Sequence, residues 1–313
     1  MTAAASTDQD TAAFYAALKY PGPDAIITTV WAKRISPHLE RPDFRFLDAG
    51  CGSGRHSAGV LLTHPESRGI GLDLSRPSLA AARALLAAKG IDQRIDLICA
   101  SHSEPLPIGR PVDVALAIGT IHHAPDPARS LANIAATVRP GGIVAAMVYG
   151  QRGHRRRYEI REMLDLLCGI DGEAKRRLHA AYTKKYAGLL DTTPRQTIMG
   201  LRKRLSHWRH RIAGKGSDFG YLKPGAAGSD DVFFLDSFAA PIDRAFESGE
   251  LRAMLDAAGL ELVDMLTLGR PDPRLLPDGW HAAWRELDTW DKIRVSELLD
   301  PQPASFSFIA RRR

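Results

Sequence analysis

From Phe44 onward the chain alternates between short, dense apolar runs and longer stretches in which apolar residues recur three and four positions apart. The runs are FRFLDAG, GIGLDLS, RIDLICA, VDVALAIG and GGIVAAMVY. Runs this short and this uniformly apolar predict strands covered on both faces. Between them the spacing predicts helices from Arg55 to Leu62, from Ser78 to Lys89 after Pro77, and from Ala128 to Val138, the last closed by Arg139-Pro140-Gly141-Gly142. Strand–helix alternation predicts a parallel sheet with helices on both faces.

The flanks follow other patterns. The stretch up to Glu40 reads as helical, is broken at Tyr20-Pro21-Gly22-Pro23, and carries an apolar face of Ile26, Ile27, Val30 and Trp31 that suits a cap over a neighbouring site. After Gly150 three amphipathic helices are expected. The third has Ile198, Leu201, Leu205, Trp208 and Ile212 on one stripe, with Thr193 as its cap and Pro194 at its first position. A Gly-rich loop spans Gly214 to Ser229. Then come a helix from Ser248 to Gly259, the strand LELVDML, a helix near Trp284 to Leu299 and a last strand SFSFIA. The expected architecture is α/β: a Rossmann-like, seven-stranded, mostly parallel sheet with helices on both faces and a helical insertion between strands five and six. Its expected partition is 1–43 as an N-terminal helical cap, 44–150 as the nucleotide-cofactor core, 151–230 as the insertion and 231–313 as the completion of the core.

Composition changes the picture at three points. Of 313 residues, 44% are hydrophobic and 25% charged, the balance of a chain that buries a proper core. No basic start leads into an apolar stretch and no uncharged run is long enough to cross a bilayer, which predicts a cytoplasmic protein without a membrane partner. Cys51, Cys99 and Cys168 are far apart and never form a CxxC pair, so neither a disulfide framework nor a metal site is expected. The net charge of +6 is a local property: residues 151–216 hold 17 Lys/Arg against 6 Asp/Glu, whereas residues 217–313 hold 11 against 17.

The chemistry centres on FLDAGCGSG at 46–54. Gly50, Gly52 and Gly54 allow a sharp turn after the first strand and let a ligand lie against the backbone. Asp73, about 20 residues on at the end of the second strand, is placed to accept both hydroxyls of a ribose. A dinucleotide-type GxGxxG turn is a poor match, because its third glycine would fall on Arg55 or Ser57. Asp48 just before the turn would repel a pyrophosphate but suits a cofactor with an ammonium and a sulfonium. S-adenosylmethionine has both charges and no phosphate, leaving a nicotinamide dehydrogenase as the minor alternative.

Residues 44–150 resemble the class I S-adenosylmethionine-dependent methyltransferase core. The resemblance rests on DAGCGSG, on Asp73, on VDVALAIGTIHHAPDP as a fourth strand with its loop, and on VRPGGIVAAM as the entry to the fifth. It implies S-adenosylmethionine as cofactor, held by Asp48, Gly50, Cys51, Gly52, Gly54, Asp73 and Leu74, with Gly119 and Thr120 at the methionine end. It also implies that the two last strands are antiparallel. One departure stands out: many relatives carry an acid after the third strand that contacts the adenine amino group, whereas here the stretch is ASHSEPLP, so Ser101, His102 or Ser103 would take that role.

Less is implied about the acceptor. His122 and His123 are the candidates for a general base, with packing as the competing and favoured role. A positioned nucleophile needs no base for every acceptor, since the sulfonium is itself a reactive methyl donor. Asp236, Asp243 and Arg244 either line the acceptor pocket or pin the insertion to the core. Three functions are therefore expected in order: methyl transfer to a small molecule or short peptide under a helical lid, methyl transfer to RNA or protein docked on the basic stretch 151–216, and S-adenosylmethionine binding by a regulator that transfers nothing.

Overall fold

The computed structural model describes residues 7–18, 27–169, 171–179, 181, 236, 238–266, 271, 273–276, 279–299 and 305–313. The chain divides into two compact units, one of residues 1–156 with 240–313 and one of residues 157–239. The first unit holds the sheet. Its opening elements are helices α1 (Asp8–Leu18) and α2 (Val30–Ile35), strand β1 (Arg45–Ala49), helix α3 (Arg55–Thr63), strand β2 (Arg68–Asp73) and helix α4 (Arg76–Ala88). Strands β3 (Ile95–Cys99) and β4 (Val112–Ile118), helix α5 (Pro127–Thr137) and strand β5 (Val138–Gly150) follow, and helix α6 (Gln151–Cys168) begins directly after β5. Strands β6 (Ala245–Phe246), β7 (Leu260–Met265) and β8 (Ser305–Arg312) complete it.

The strands lie in the order β3-β2-β1-β4-β5-β8-β7, with β6 beside the end of β5. Strands β1 to β5 pair in parallel. Because β1 leads to β2 on one side and β4 lies on its other side, the order reverses beside β1, the place where open parallel sheets receive ligands at the carboxyl ends of the strands. Side-chain alternation in β1 supplies both faces: Leu47 and Ala49 join the core with Leu131, Ile134 and Leu251, while Phe46 joins the opposite core with Ile35, Leu61 and Leu86. The predicted α/β architecture is thus the observed one.

Four details differ from the sequence reading. Only β8 runs against the rest: it pairs antiparallel with β5, and β7 pairs antiparallel with β8, so β7 points the same way as β5. The expected antiparallel sixth strand is corrected accordingly. Arg139–Gly142 lie inside β5, across an irregularity opposite Val112 and Val114, where a Cβ on Gly142 would sit 2.7 Å from the Asp113 carbonyl oxygen. The single helix expected near Trp284 to Leu299 is two, His281–Glu286 and Thr289–Leu299, because the Asp288 carboxylate accepts from the Asp291 N–H at 2.7 Å and caps a new helix. Strand β6 escaped notice because two residues carry no period.

The second unit is described only in part. Leu164 and Phe238 are buried together with Ile160, Met163 and Leu178 against them, and the Lys175 ammonium pairs with Asp165 at 2.5 Å. The predicted third helix, its Thr193-Pro194 cap and the Gly-rich loop lie outside the described residues. No helix among the described residues is long and apolar enough to cross a membrane.

Candidate cofactor and acceptor site

The loop after β1 is built by backbone geometry. The N–H groups of Gly50 and Cys51 both donate to the Leu72 carbonyl, at 2.7 and 2.9 Å, drawing the turn against the end of β2. Gly50 adopts φ +77°, and a Cβ there would meet Thr120 Oγ1 at 2.2 Å, so only glycine lets the loops after β1 and β4 come together. Gly52, at φ +53°, is the opposite case: a Cβ on it would meet nothing within 4 Å. Its outer face is open. Gly54 packs closely on Ala82 of α4.

Two acids flank this turn. The Asp73 carboxylate accepts from the N–H of Gly52 and of Ser75, both at 2.8 Å, which fixes it at the carboxyl end of β2. Burial raises its carboxyl above the ordinary value, and those two hydrogen bonds oppose the shift. Asp48 is buried beneath the turn and accepts from the Ser57 hydroxyl at 2.6 Å, tying β1 to the first turn of α3. Burial pushes it up to about 6 despite that bond, with the nearby Asp73 charge adding to the rise. No ion pair with either acid is present among the described residues. A buried and a half-buried carboxylate, both of raised pKa and without a paired cation among the described residues, thus lie beside an open glycine.

Cys51 turns inward: a Cβ on Gly71 would meet its Sγ at 3.2 Å, and burial drives its thiol well above the ordinary value. That side chain is a packing group, and only its backbone lines the turn. The Leu74 carbonyl accepts from Cys99 Sγ at 3.6 Å. Gly119, at φ +75°, donates to the Met147 carbonyl, and Thr120 Oγ1 lies 2.9 Å from His102 Nε2. Burial lowers His102 to about 4, so its ring is neutral at pH 7. Its Nδ1 is buried without a partner. The structure therefore brings Gly50, Gly52, Asp73, Gly119, Thr120 and His102 to one edge.

The sequence reading places a helical cap at 1–43 but not the polar contacts that α1 makes. Asp8 accepts from the hydroxyls of Ser101, at 2.5 Å, and Ser103, at 3.1 Å, on the loop after β3. Tyr15, two turns further along, meets the His123 ring edge-on at 5.7 Å. Helix α1 thus joins the loops that follow β3 and β4. No local signal links residues 93 positions apart in the chain.

His122 and His123 sit in a short 3-10 turn after β4, and both are buried. The His122 ring lies 3.8 Å from that of Tyr149, which stacks on His154 at 4.3 Å. His123 Nδ1 lies 2.8 Å from the Ile242 carbonyl, which can only accept, so Nδ1 is the donor of that bond and orients the ring. Arg244 donates its backbone N–H to the His122 carbonyl and its guanidinium to Glu250 at 2.9 Å, so it is held within the sheet unit. Among the described residues no group of His, Cys, Asp or Glu is arranged to hold a metal. A recess of about 160 Å³ lies at the opposite edge of the sheet, by Arg45, Arg68 and Arg94, away from all of these residues.

The strand order, the glycine turn after β1 and the acid closing β2 are those expected of the methyltransferase core that residues 44–150 resemble. Residues 47–144 match the model of a family described as a methyltransferase domain. An uncharacterised protein of Synechococcus is 27% identical over 282 residues, which are 88% of this chain and 62% of that one. A ubiquinone biosynthesis O-methyltransferase of Parvibaculum lavamentivorans is 33% identical over 33% of this chain and 39% of its own length. A tRNA 5-carboxymethoxyuridine methyltransferase of Escherichia coli is 26% identical over 48% and 58%. Among solved structures, PKMT2 from Rickettsia typhi in complex with AdoHcy superposes with a TM-score of 0.63 at 15% identity, covering 87% of this chain and 49% of that one. The chain thus spans less than two thirds of each of these proteins.

Proposed function

We propose that the protein transfers a methyl group from S-adenosylmethionine to a small-molecule or short-peptide acceptor. The observation that carries the cofactor half is the pair of enclosed acids, Asp48 and Asp73, beside the open face of Gly52 with no cationic partner among the described residues. A dinucleotide would bring phosphates against two carboxylates, whereas an ammonium and a sulfonium are attracted by them. When bound, S-adenosylmethionine supplies an electrophilic methyl group on a positively charged sulfur.

This chain's residues then do four things. Asp73, held by the Gly52 and Ser75 N–H groups, keeps lone pairs free to accept from the ribose hydroxyls. Gly119 and Thr120, at the end of β4 beside Gly50, line the methionine end. His123, oriented through Nδ1 by the Ile242 carbonyl, presents Nε2 to take a proton from a hydroxyl acceptor, and the remaining rate comes from alignment. His122, packed against Tyr149, shapes the wall.

Two related proteins named above carry a ubiquinone-pathway and a tRNA acceptor in their names, so the acceptor class is decided by experiment. Methyl-labelled S-adenosylmethionine incubated with the protein and a cell extract, then split into low-mass, RNA and protein fractions, is expected to label the low-mass fraction. Label in RNA or protein would make the basic stretch 151–216 a docking surface and refute the small-molecule reading. Binding without label in any fraction would favour a regulator.

A further inference from the structure

Asp8 is the one carboxylate in the described structure that a distant helix delivers to the loop after β3, and its arrangement is that of a receptor group. Its two oxygens accept from Ser101 and Ser103, and Ser101 Oγ in turn accepts from the Ser103 N–H at 2.9 Å. These bonds fix the carboxylate in position while each oxygen keeps a further lone pair. Asp8 is only half-buried, so those lone pairs are within reach of a ligand.

The strand order says which part of the ligand lies there. With the glycine turn after β1 and Asp73 ending β2 on the ribose, a purine extending outward from β2 would meet the next strand, which is β3. The other side chains at the start of its loop are already engaged, and Asp8 supplies the charged acceptor there. The Ser101 and Ser103 hydroxyls are donated to Asp8, the His102 ring is turned to Thr120 with Nδ1 enclosed, and the His102 carbonyl accepts from Asn133 at 3.1 Å. Resting on the S-adenosylmethionine reading above, we propose that Asp8 of α1 accepts a hydrogen bond from the exocyclic amino group of the cofactor's adenine, making this N-terminal helix a specificity element for the base. A 6-oxo purine would place an acceptor against the carboxylate and be rejected.

The competing role is a simple clasp that holds α1 on the loop, and ligand selectivity separates the two. Binding of S-adenosylhomocysteine and of its 6-oxo, inosine-containing counterpart is titrated by calorimetry into the full chain, Asp8→Ala and Asp8→Asn. The wild type is expected to prefer the adenine ligand. Asp8→Ala should weaken that ligand by about 10-fold while leaving the 6-oxo ligand no weaker, a loss of the size of one charge-assisted hydrogen bond. Asp8→Asn, whose amide supplies a donor, should bind the 6-oxo ligand more tightly than the wild type does. Equal weakening of both ligands would show a clasp and overturn the proposal, as would unchanged selectivity in both variants. A folded wild type that binds neither ligand would instead remove the S-adenosylmethionine reading itself.

Discussion

At the amino edge of the sheet Asp113 accepts from the Arg45 N–H and from Arg139 Nε, each at 2.8 Å, with the Arg41 guanidinium 3.5 Å away. At the carboxyl edge Asp48 and Asp73 are enclosed too, yet have no guanidinium or ammonium paired with them among the described residues. The consequences for ionisation are opposite. Burial would raise Asp113, but the hydrogen bonds and the two arginines hold its carboxyl below the ordinary value, whereas burial lifts Asp48 to about 6 and raises Asp73. One edge pairs its acid with cations of the fold, and the other leaves its acids without any among the described residues. On the proposed function the difference separates a structural acid from binding acids within a single sheet.

The comparison breaks most visibly at Asp113. Asp113→Ala strands the Arg45 N–H and part of the Arg139 guanidinium, and should lower the free energy of unfolding of the sheet unit by about 3 kcal/mol while leaving cofactor affinity unchanged. Denaturant titration and calorimetry of the same variant check both halves. Asp73→Ala should do the reverse, weakening S-adenosylhomocysteine about 100-fold by removing an acceptor of two ribose hydroxyls, with a much smaller change in stability.

A smaller effect sharpens the contrast through pH. Asp113, with its depressed carboxyl, contributes stability that is present above the ordinary carboxylate range and is lost as pH falls through its folded value. Asp48 works the other way: its contribution is full below about 4 and is lost as pH rises through about 6. A cationic ligand favours the ionised form of Asp48, so affinity for S-adenosylmethionine should fall about 10-fold between pH 7 and pH 5. Asp48→Asn should flatten that dependence, and a slope unchanged in the variant would show that Asp48 only organises the turn.

The sheet was legible because each strand of a doubly covered layer is a short apolar run, and each turn at the site carries its own chemistry. Gly50 illustrates this, since the clash with Thr120 that excludes a side chain is written as the glycine itself. The direction of β7 was not legible, because it follows from β8 inserting beside β5, a pairing between segments far apart in the chain. For the same reason the missing acid after β3 looked like a gap. The acid proposed to take that place, Asp8, lies 93 residues before the Ser101 it accepts from, on a helix whose docking no local pattern encodes. His123 was legible as a residue type but not as an oriented one, since the Ile242 carbonyl that fixes its ring comes from beyond the insertion.

The central claim is that the carboxyl edge receives S-adenosylmethionine and not a phosphate-bearing dinucleotide. Calorimetric titration of the full chain with S-adenosylhomocysteine and, separately, with NAD tests it most directly. Saturable one-to-one binding of the first with no heat from the second is the predicted result; binding of NAD with none of S-adenosylhomocysteine would contradict the account.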